Sequence, residues 1–138
     1  MKPKDAAPTA ERSAIMRAVK SRDTAPEIKL RRLAFAAGYR YRLNGESLPG
    51  KPDMVFWGRK KAIFVHGCFW HGHTCKRGDR MPASNVEYWT RKIARNVERD
   101  ARVRLELERA GWKSLVIWEC CLKDRDAVLN ALRDFLDG

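Results

Sequence analysis

The sequence contains no stretch that approaches the roughly 20 consecutive apolar residues of a membrane-spanning helix. Residues 1–11 also lack the apolar segment of a secretory signal peptide. No internal repeat and no linker-like region interrupts the 138 residues, a length typical of one compact domain. Membrane, secreted and two-domain proteins are therefore not expected. We predict a single domain over residues 1–138, with residues 1–10 flexible, located in the cytoplasm.

Acidic residues are too few to balance the basic ones. The chain has 29 Lys and Arg against 17 Asp and Glu, which gives a net charge of +12. It is 44% apolar, with 5 Trp and 5 Phe, and these side chains can fill a core, so a disordered chain is excluded. Because a fold needs no net charge of this size, the excess predicts a polyanionic partner. Nucleic acid is favoured over a general contribution to solubility.

Histidine is scarce and strongly localised. The three histidines of the chain, His66, His71 and His73, fall within ten residues that also contain Cys68 and Cys75. In a reducing compartment, thiols with histidines nearby are more often metal ligands than disulfide partners. Ordinary buried cysteine and histidine is the alternative interpretation.

The spacing within this loop is typical of a metal site. Cys68, His73 and Cys75 offer three soft or borderline ligands, and Cys120 can supply a fourth from beyond a later strand. Four such ligands suit tetrahedral Zn²⁺, and a full set makes the site structural rather than catalytic. Cys121 is the rival of Cys120, and alternation along a strand would direct the two side chains to opposite sides.

Hydrophobic periodicity and capping signals predict a mixed sheet flanked by helices, in the order ααβββαβα. Capping boxes are predicted at Thr24 with Glu27 and at Ser84 with Glu87. The long helix is expected to bury the stripe Trp89, Ile93, Val97, Ala101 and Leu105. The predicted elements are helices over 11–20, about 25–37, about 85–110 and about 128–136, and strands over 39–43, 54–57, 62–65 and 114–118.

A carboxylate at the start of an apolar strand is the second candidate site. Asp53 follows Gly50-Lys51-Pro52 and leads into the strand over 54–57. Such a carboxylate can hold Mg²⁺ against a scissile phosphate, with Lys51 near enough to contribute charge. A turn or cap role is the commoner explanation of this motif. A hairpin between the two strands would bring His66 and the following turn to the same end of the sheet, so Asp53, His66 and His71 are expected to share a pocket.

Two large rings, Phe69 and Trp70, lie between the candidate ligands Cys68 and His73. A short metal-braced loop leaves little core for both rings, so at least one is expected to be exposed. Exposed aromatic side chains of a basic protein stack on bases or wedge between them. The alternative is that both rings cover the end of the sheet.

These motifs occur in an order that identifies a family. They are Lys51-Pro52-Asp53, Ile63–Cys75, Glu87–Ile93, Asn96–Asp100 and Gly111–Cys120. Over about residues 12–122 the chain resembles the very short patch repair (Vsr) DNA mismatch endonucleases. The resemblance implies an α/β, restriction-endonuclease-like fold with a mixed central sheet flanked by helices and a structural zinc site. It implies a Mg²⁺-dependent enzyme of the bacterial cytoplasm that nicks one strand 5′ to the thymine of a T:G mismatch, the product of 5-methylcytosine deamination.

The resemblance also implies roles for residues of the active site. Asp53 corresponds to the Mg²⁺ carboxylate, and Val65 to the position whose backbone carbonyl assists it. His71 corresponds to the catalytic histidine, Asp100 to its orienting carboxylate and His66 to a supporting histidine. Glu27 is left with two interpretations, a helix cap only or a second acid near the metal, and the cap ranks first.

The remaining implied residues bind zinc or DNA. Cys68, His73, Cys75 and Cys120 match the structural zinc ligands. Three aromatic side chains match those that wedge beside the mismatch, and a helix residue matches one that reaches the opposite groove; they are Phe69, Trp70, Trp89 and Met16.

The implied partners are double-stranded DNA with a T:G mismatch, a functionally paired cytosine-5 methyltransferase and, as further candidates, mismatch-repair proteins. A monomer suffices for a single asymmetric nick. Two other functions compete with this interpretation: a zinc-stabilised DNA-binding module without catalysis, and a general Mg²⁺ nuclease with no mismatch preference. The first leaves Asp53, His71 and Asp100 without a purpose.

Overall fold

A computed structural model describes residues 24–75 and 82–138. The helix predicted over 11–20, with Met16, lies outside the described residues. Six main elements follow one another in chain order: α1 (Ala25–Ala36), β1 (Met54–Phe56), β2 (Lys61–His66), α2 (Val86–Arg109), β3 (Lys113–Trp118) and α3 (Arg125–Asp137). Within the described ranges, no helix is both long enough and apolar enough to cross a membrane.

The sheet is small and mixed, with strand order β1-β2-β3. β1 pairs antiparallel with β2, in the register Met54 to Ile63, and β2 pairs parallel with β3, in the register Val65 to Ile117. The predicted hairpin and the strand predicted over 114–118 are confirmed. The α/β class, with a mixed sheet flanked by helices, is confirmed as well.

The strand predicted over 39–43 is wrong. This segment forms only an isolated bridge, in which Arg42 and Val55 exchange two backbone hydrogen bonds of 2.9 Å. The chain turns away directly afterwards into the short 3₁₀ helix Gly45–Ser47. A segment that turns so soon cannot extend the ladder, although the aromatic Tyr39 at its start is buried in the core.

The sheet separates two cores because strand side chains alternate between its faces. The larger core lies under α1 and α3, and its buried members include Leu30, Met54, Ile63, Ile117 and Leu132. The smaller core lies under the carboxyl-terminal part of α2, with Val55, Ala62, Phe64, Leu107 and Trp112. Three layers result, with the sheet in the middle.

The capping box predicted at the start of α1 is present, and the one predicted at the start of α2 is not. Thr24 and Glu27 form the predicted capping box, with the Thr24 backbone N–H donating to Glu27 Oε2 at 3.2 Å. The second box, Ser84 with Glu87, is wrong. The N-cap of α2 is Asn85, which adopts a left-handed conformation at φ 59°. Asn tolerates this conformation better than most residues.

The predicted inner stripe of α2 is correct only at its start, where Trp89 is buried and Ile93 half-buried, and is wrong further along the helix. Val97 and Leu105 are 46% and 47% exposed, and only Trp89 and Leu107 of this helix are buried. The two buried residues lie near the ends of the helix, whereas Val97 and Ala101 in its central part line an open cavity.

Candidate active site

A cavity of about 770 Å³ lies between the sheet and α2. The residues expected to form the active site all line it; they are Asp53, Val65, His66, His71 and Asp100. Glu27, Glu46 and Lys51 line it as well, as do Arg99 and Arg104 of α2. The fold therefore brings residues from four separate parts of the chain to one place.

Asp53 is held at the mouth of the hairpin. Its backbone N–H donates to the carbonyl O of Ile63 at 3.0 Å, and its Oδ2 accepts a hydrogen bond from the Val65 backbone N–H at 2.6 Å. Burial first, and then the neighbouring Glu27 carboxyl, raise the pKa of Asp53 to about 7, against the opposing effect of the hydrogen bond from Val65. Asp53 therefore has an unfavourable environment for a lone negative charge.

Glu27 caps a helix, as the preferred interpretation of the sequence predicts, and its carboxyl group also faces Asp53. It caps α1 through Thr24 and forms an ion pair with Arg31 at 3.4 Å. It is also 6% exposed and close enough to Asp53 to share a hydrogen bond with it. Two facing carboxyl groups in a half-buried site are a donor set that suits a divalent cation.

His71 and Asp100 form a hydrogen-bonded pair. His71 Nδ1 lies 2.6 Å from Asp100 Oδ2. The hydrogen bond assigns the tautomer of a neutral ring beside a carboxylate: Nδ1 donates to Asp100 Oδ2, and Nε2 keeps its lone pair. This arrangement is that of a general base oriented by a carboxylate.

His66 lies directly against this pair. Its ring stacks on that of His71, with centroids 3.8 Å apart and planes 5° from parallel. Its Nδ1 is 3.9 Å from Asp100 Oδ2, and within the described part of the chain it has no hydrogen-bond partner. Burial, and then the proximity of His71, lower the pKa of His66 to about 4. His66 is therefore neutral at physiological pH.

Four potential metal ligands meet beside the loop that follows β2 and carries His71. One ligand atom from each of Cys68, His73, Cys75 and Cys120 lies within 4.8 Å of the others. Cys120 Sγ is 3.5 Å from His73 Nδ1, and the His73 ring stacks on Trp118 at 4.2 Å. The cysteines of the described residues form no disulfide, and burial raises the pKa of Cys68 to about 11. Three thiols and an imidazole at this spacing fit a tetrahedral zinc ion.

Cys121 does not join this group. It is exposed, whereas Cys120 is half-buried and faces the other ligands. Both cysteines lie in a 3₁₀ helix, Glu119–Lys123, that follows β3. Their different directions therefore come from this turn and not from alternation along a strand.

The aromatic side chains form one cluster. Phe69, Trp70 and Trp89 contact one another edge to face, with centroid distances of 5.2, 5.7 and 5.6 Å. Phe69 and Trp70 are half-buried, whereas Trp89 is 3% exposed and its Nε1 has no acceptor among the described residues. The expectation of an exposed ring is met only in part, because each loop ring shields the other.

Four residues that line the cavity or contact its loop are not singled out by the sequence patterns. Asn96 of α2 donates from Nδ2 to the carbonyl O of Trp70 at 2.8 Å. Glu46, Arg99 and Arg104 line the cavity. Helical spacing was the available signal, since residues 96, 100 and 104 lie on one face of a helix.

Comparisons with known proteins agree with this geometry. The family model of DNA mismatch endonuclease Vsr matches residues 4–77. The chain is 44% identical to the type II nicking enzyme V.NmeAIP of Neisseria meningitidis over 85% of this chain and 83% of that protein. It is 46% identical to V.XorIIP of Xanthomonas oryzae pv. oryzae over 89% and 90%. It is 44% identical to DNA mismatch endonuclease Vsr of Escherichia coli over 88% and 77%. The chain therefore belongs to the DNA mismatch endonuclease Vsr family.

Proposed function

We propose that this endonuclease nicks one strand of duplex DNA on the 5′ side of the thymine in a T:G mismatch, so that a polymerase can restore the C:G pair. The observation that carries the proposal is the meeting of Asp53 with the His71–Asp100 pair in one cavity. A binding module has no use for this set of groups. The names of the relatives, two type II nicking enzymes and a DNA mismatch endonuclease, support the same reaction.

His71 is the proposed general base. Its Nε2 accepts a proton from the water that attacks the phosphate, while Asp100 holds Nδ1 and stabilises the imidazolium that forms. His66 supports the ring of His71 by stacking and stays neutral, so it adds no competing positive charge. The His71 ring is therefore oriented by the hydrogen bond to Asp100 at its edge and by the stacked His66 ring on its face.

Asp53 is the proposed ligand of a catalytic Mg²⁺ ion, together with the backbone carbonyl of Val65. A Mg²⁺ ion held by these two groups would provide positive charge that stabilises the developing phosphorane. The raised pKa of Asp53 supports this assignment, because a cation would offset the cost of its buried charge. Glu27 faces the same carboxyl group and is proposed as the second acid of the site.

The Cys68, His73, Cys75 and Cys120 group is the proposed site of a structural zinc ion. Its members flank the loop that carries Phe69, Trp70 and His71. Tying the two ends of this loop together holds the base and the aromatic cluster against α2 without any role in the chemical step.

The proposed selectivity comes from deformation of the mismatch. A T:G pair and a C:G pair present similar phosphates, so the +12 charge provides affinity without discrimination. A wobble pair stacks less well, so separating the base step beside it costs less. Phe69, Trp70 and Trp89 are the proposed wedge, with Met16 on the opposite groove.

Trp70→Ala is expected to weaken binding to the T:G duplex by about 1–3 kcal/mol, the range for aromatic–base stacking. Binding to matched DNA should change much less, and the salt dependence should stay the same because no phosphate contact is lost. Titrations of labelled duplexes measure both.

Trp57→Ala, which truncates a 40% exposed ring that does not line the cavity, is the control. Equal losses on both duplexes would exclude the wedge. Trp89 is a poorer test, because truncating so buried a ring costs about 3–5 kcal/mol of stability.

Asp53→Asn is expected to raise the melting temperature at about pH 8 in buffer without Mg²⁺, although it removes nicking. Folding raises the pKa of this group from 3.8 to about 7, so its protonated form is favoured in the folded state and stability falls as pH rises through that window. The substitution removes this loss of stability at high pH. Near pH 4, roughly the lower end of the window, it should change the melting temperature little.

His66 has the opposite pH dependence, since its lowered pKa costs stability as pH falls from 6.5 to about 4. Comparing variants at each pH by calorimetry therefore isolates Asp53. Asp134→Asn, at an exposed position of α3, is the control and should show no gain. If the melting temperature of the Asp53 variant does not rise at high pH, the raised pKa of Asp53 is contradicted.

The wider context of the enzyme follows from this reaction. Its mixed sheet with flanking helices supports the proposal of a restriction-endonuclease-like fold. One nick requires one cavity, so a monomer is proposed, acting on DNA in the bacterial cytoplasm. A cytosine-5 methyltransferase is the proposed functional partner, since deamination of its product generates the mismatch, and mismatch-repair proteins are proposed as further partners.

The test compares nicking of a T:G duplex with nicking of the corresponding C:G duplex in Mg²⁺. Fast nicking of the mismatched duplex alone is expected. Tight binding without nicking would favour a DNA-binding module, and equal nicking of both would favour a general nuclease. Either result would contradict the proposal.

A further inference from the structure

The peptide unit that joins Trp70 to His71 is held at both of its polar atoms. The carbonyl O of Trp70 accepts a hydrogen bond from Asn96 Nδ2 at 2.8 Å. The backbone N–H of His71 donates to the carbonyl O of Gly67 at 3.2 Å. Because a peptide unit is planar, these two hydrogen bonds fix the direction in which the backbone enters His71.

The loop rests on a single stripe of α2. Four helix residues at relative positions 1, 4, 5 and 8 face it; they are Ile93, Asn96, Val97 and Asp100. Ile93 and Val97 lie so close to Gly72 that an added Cβ would approach them to 3.2 and 3.1 Å. Three consecutive loop residues, 70–72, therefore dock on one face of one helix.

The amide of Asn96 is oriented by a second contact. Arg99 Nη2 donates to Asn96 Oδ1 at 3.3 Å. With its oxygen engaged by a cation, the amide presents its NH₂ group to the Trp70 carbonyl, and the hydrogen-bond network assigns this orientation. Asn96 can thus donate where an aspartate of the same shape cannot.

We propose that Asn96 is a positioning residue for His71, which fixes the backbone of the base so that Nδ1 meets Asp100 while Nε2 faces the cavity. The inference rests on the proposed role of His71 as general base. Asn96 acts through the Trp70 carbonyl and does not touch the reacting phosphate. Displacement of a catalytic group by about 1 Å can cost about 10²-fold in rate, so the effect falls on the chemical step and not on DNA affinity.

The test uses Asn96→Asp and Asn96→Ala in the full chain. Asn96→Asp keeps the shape and the contact with Arg99 but removes the donor. The single-turnover nicking rate on saturating T:G duplex should fall by about 10²-fold in both variants, while affinity for the uncleaved duplex stays within a few-fold. The NMR resonance of the proton between His71 Nδ1 and Asp100 should shift or broaden in the free variants.

Asn44→Ala is the matched control. It removes another side-chain hydrogen bond of 2.8 Å, between Trp57 Nε1 and Asn44 Oδ1, at a position that does not line the cavity. Its rate should be that of the unmodified protein, and its melting temperature provides the comparison for the Asn96 variants.

The possible failures are distinguishable through His71→Ala. Normal nicking by His71→Ala would overturn the proposed base and this inference with it. An inactive His71→Ala beside a normal Asn96→Asp would overturn only the positioning role. Loss of affinity in Asn96→Asp with an unchanged rate for bound DNA would overturn it as well, and would place Asn96 in contact with the DNA.

Discussion

Replacing either Asp53 or His71 by alanine is expected to abolish nicking and to leave binding of the T:G duplex within a few-fold. Both side chains act mainly on the transition state, so their removal lowers the rate for bound DNA and not the affinity. Loss of a general base costs about 10²–10⁴-fold in rate. Single-turnover nicking and a binding titration on the same duplex measure the two quantities separately.

Glu106→Ala is a suitable control, since it removes an exposed carboxyl group of α2 that does not line the cavity. It should leave both quantities unchanged. Near-normal nicking by Asp53→Ala in Mg²⁺ would contradict the proposed metal site. Near-normal nicking by His71→Ala would contradict the proposed base, even though its hydrogen bond to Asp100 is 2.6 Å long.

Cys68→Ser and Cys75→Ser are expected to lose bound zinc and to unfold. Structural zinc in small domains contributes about 10–16 kcal/mol of apparent binding free energy, which is comparable with the entire stability of a domain, about 5–15 kcal/mol. The purified protein should contain one zinc ion per chain, measured by elemental analysis, and calorimetry should record the loss of stability.

Cys121→Ser is the matched control. This neighbour of Cys120 is exposed and lies outside the group of four ligands. It should retain zinc and the normal melting temperature. A folded, metal-free preparation of the unmodified protein would rule out the structural zinc site.

Local signals in the sequence predicted much of this geometry. The capping box of Thr24 and Glu27 depends on residues three apart, and the hairpin depends on two short apolar runs joined by a turn. The Cys68 to Cys75 loop was equally visible, because all its ligands lie within eight residues. These features need only nearby residues, so spacing was enough to find them.

Features that depend on contacts between distant elements were not predictable. Apolar periodicity indicated a stripe on α2 but not that an open cavity leaves Val97 exposed. The contact of Glu27 with Asp53 joins α1 to the hairpin, and that of Asn96 with Trp70 joins α2 to the loop. Such contacts are set by how the layers pack, which a linear pattern does not encode.

The most direct measurement of the central claim maps the cut itself. A T:G duplex labelled on both strands is incubated with the protein and Mg²⁺, and the products are sized on a denaturing gel beside those of the C:G duplex. The account predicts one product, from the thymine strand, cut on the 5′ side of the mismatched thymine, and no product from the matched duplex. Cuts in both strands, or equal cutting of the matched duplex, would contradict it.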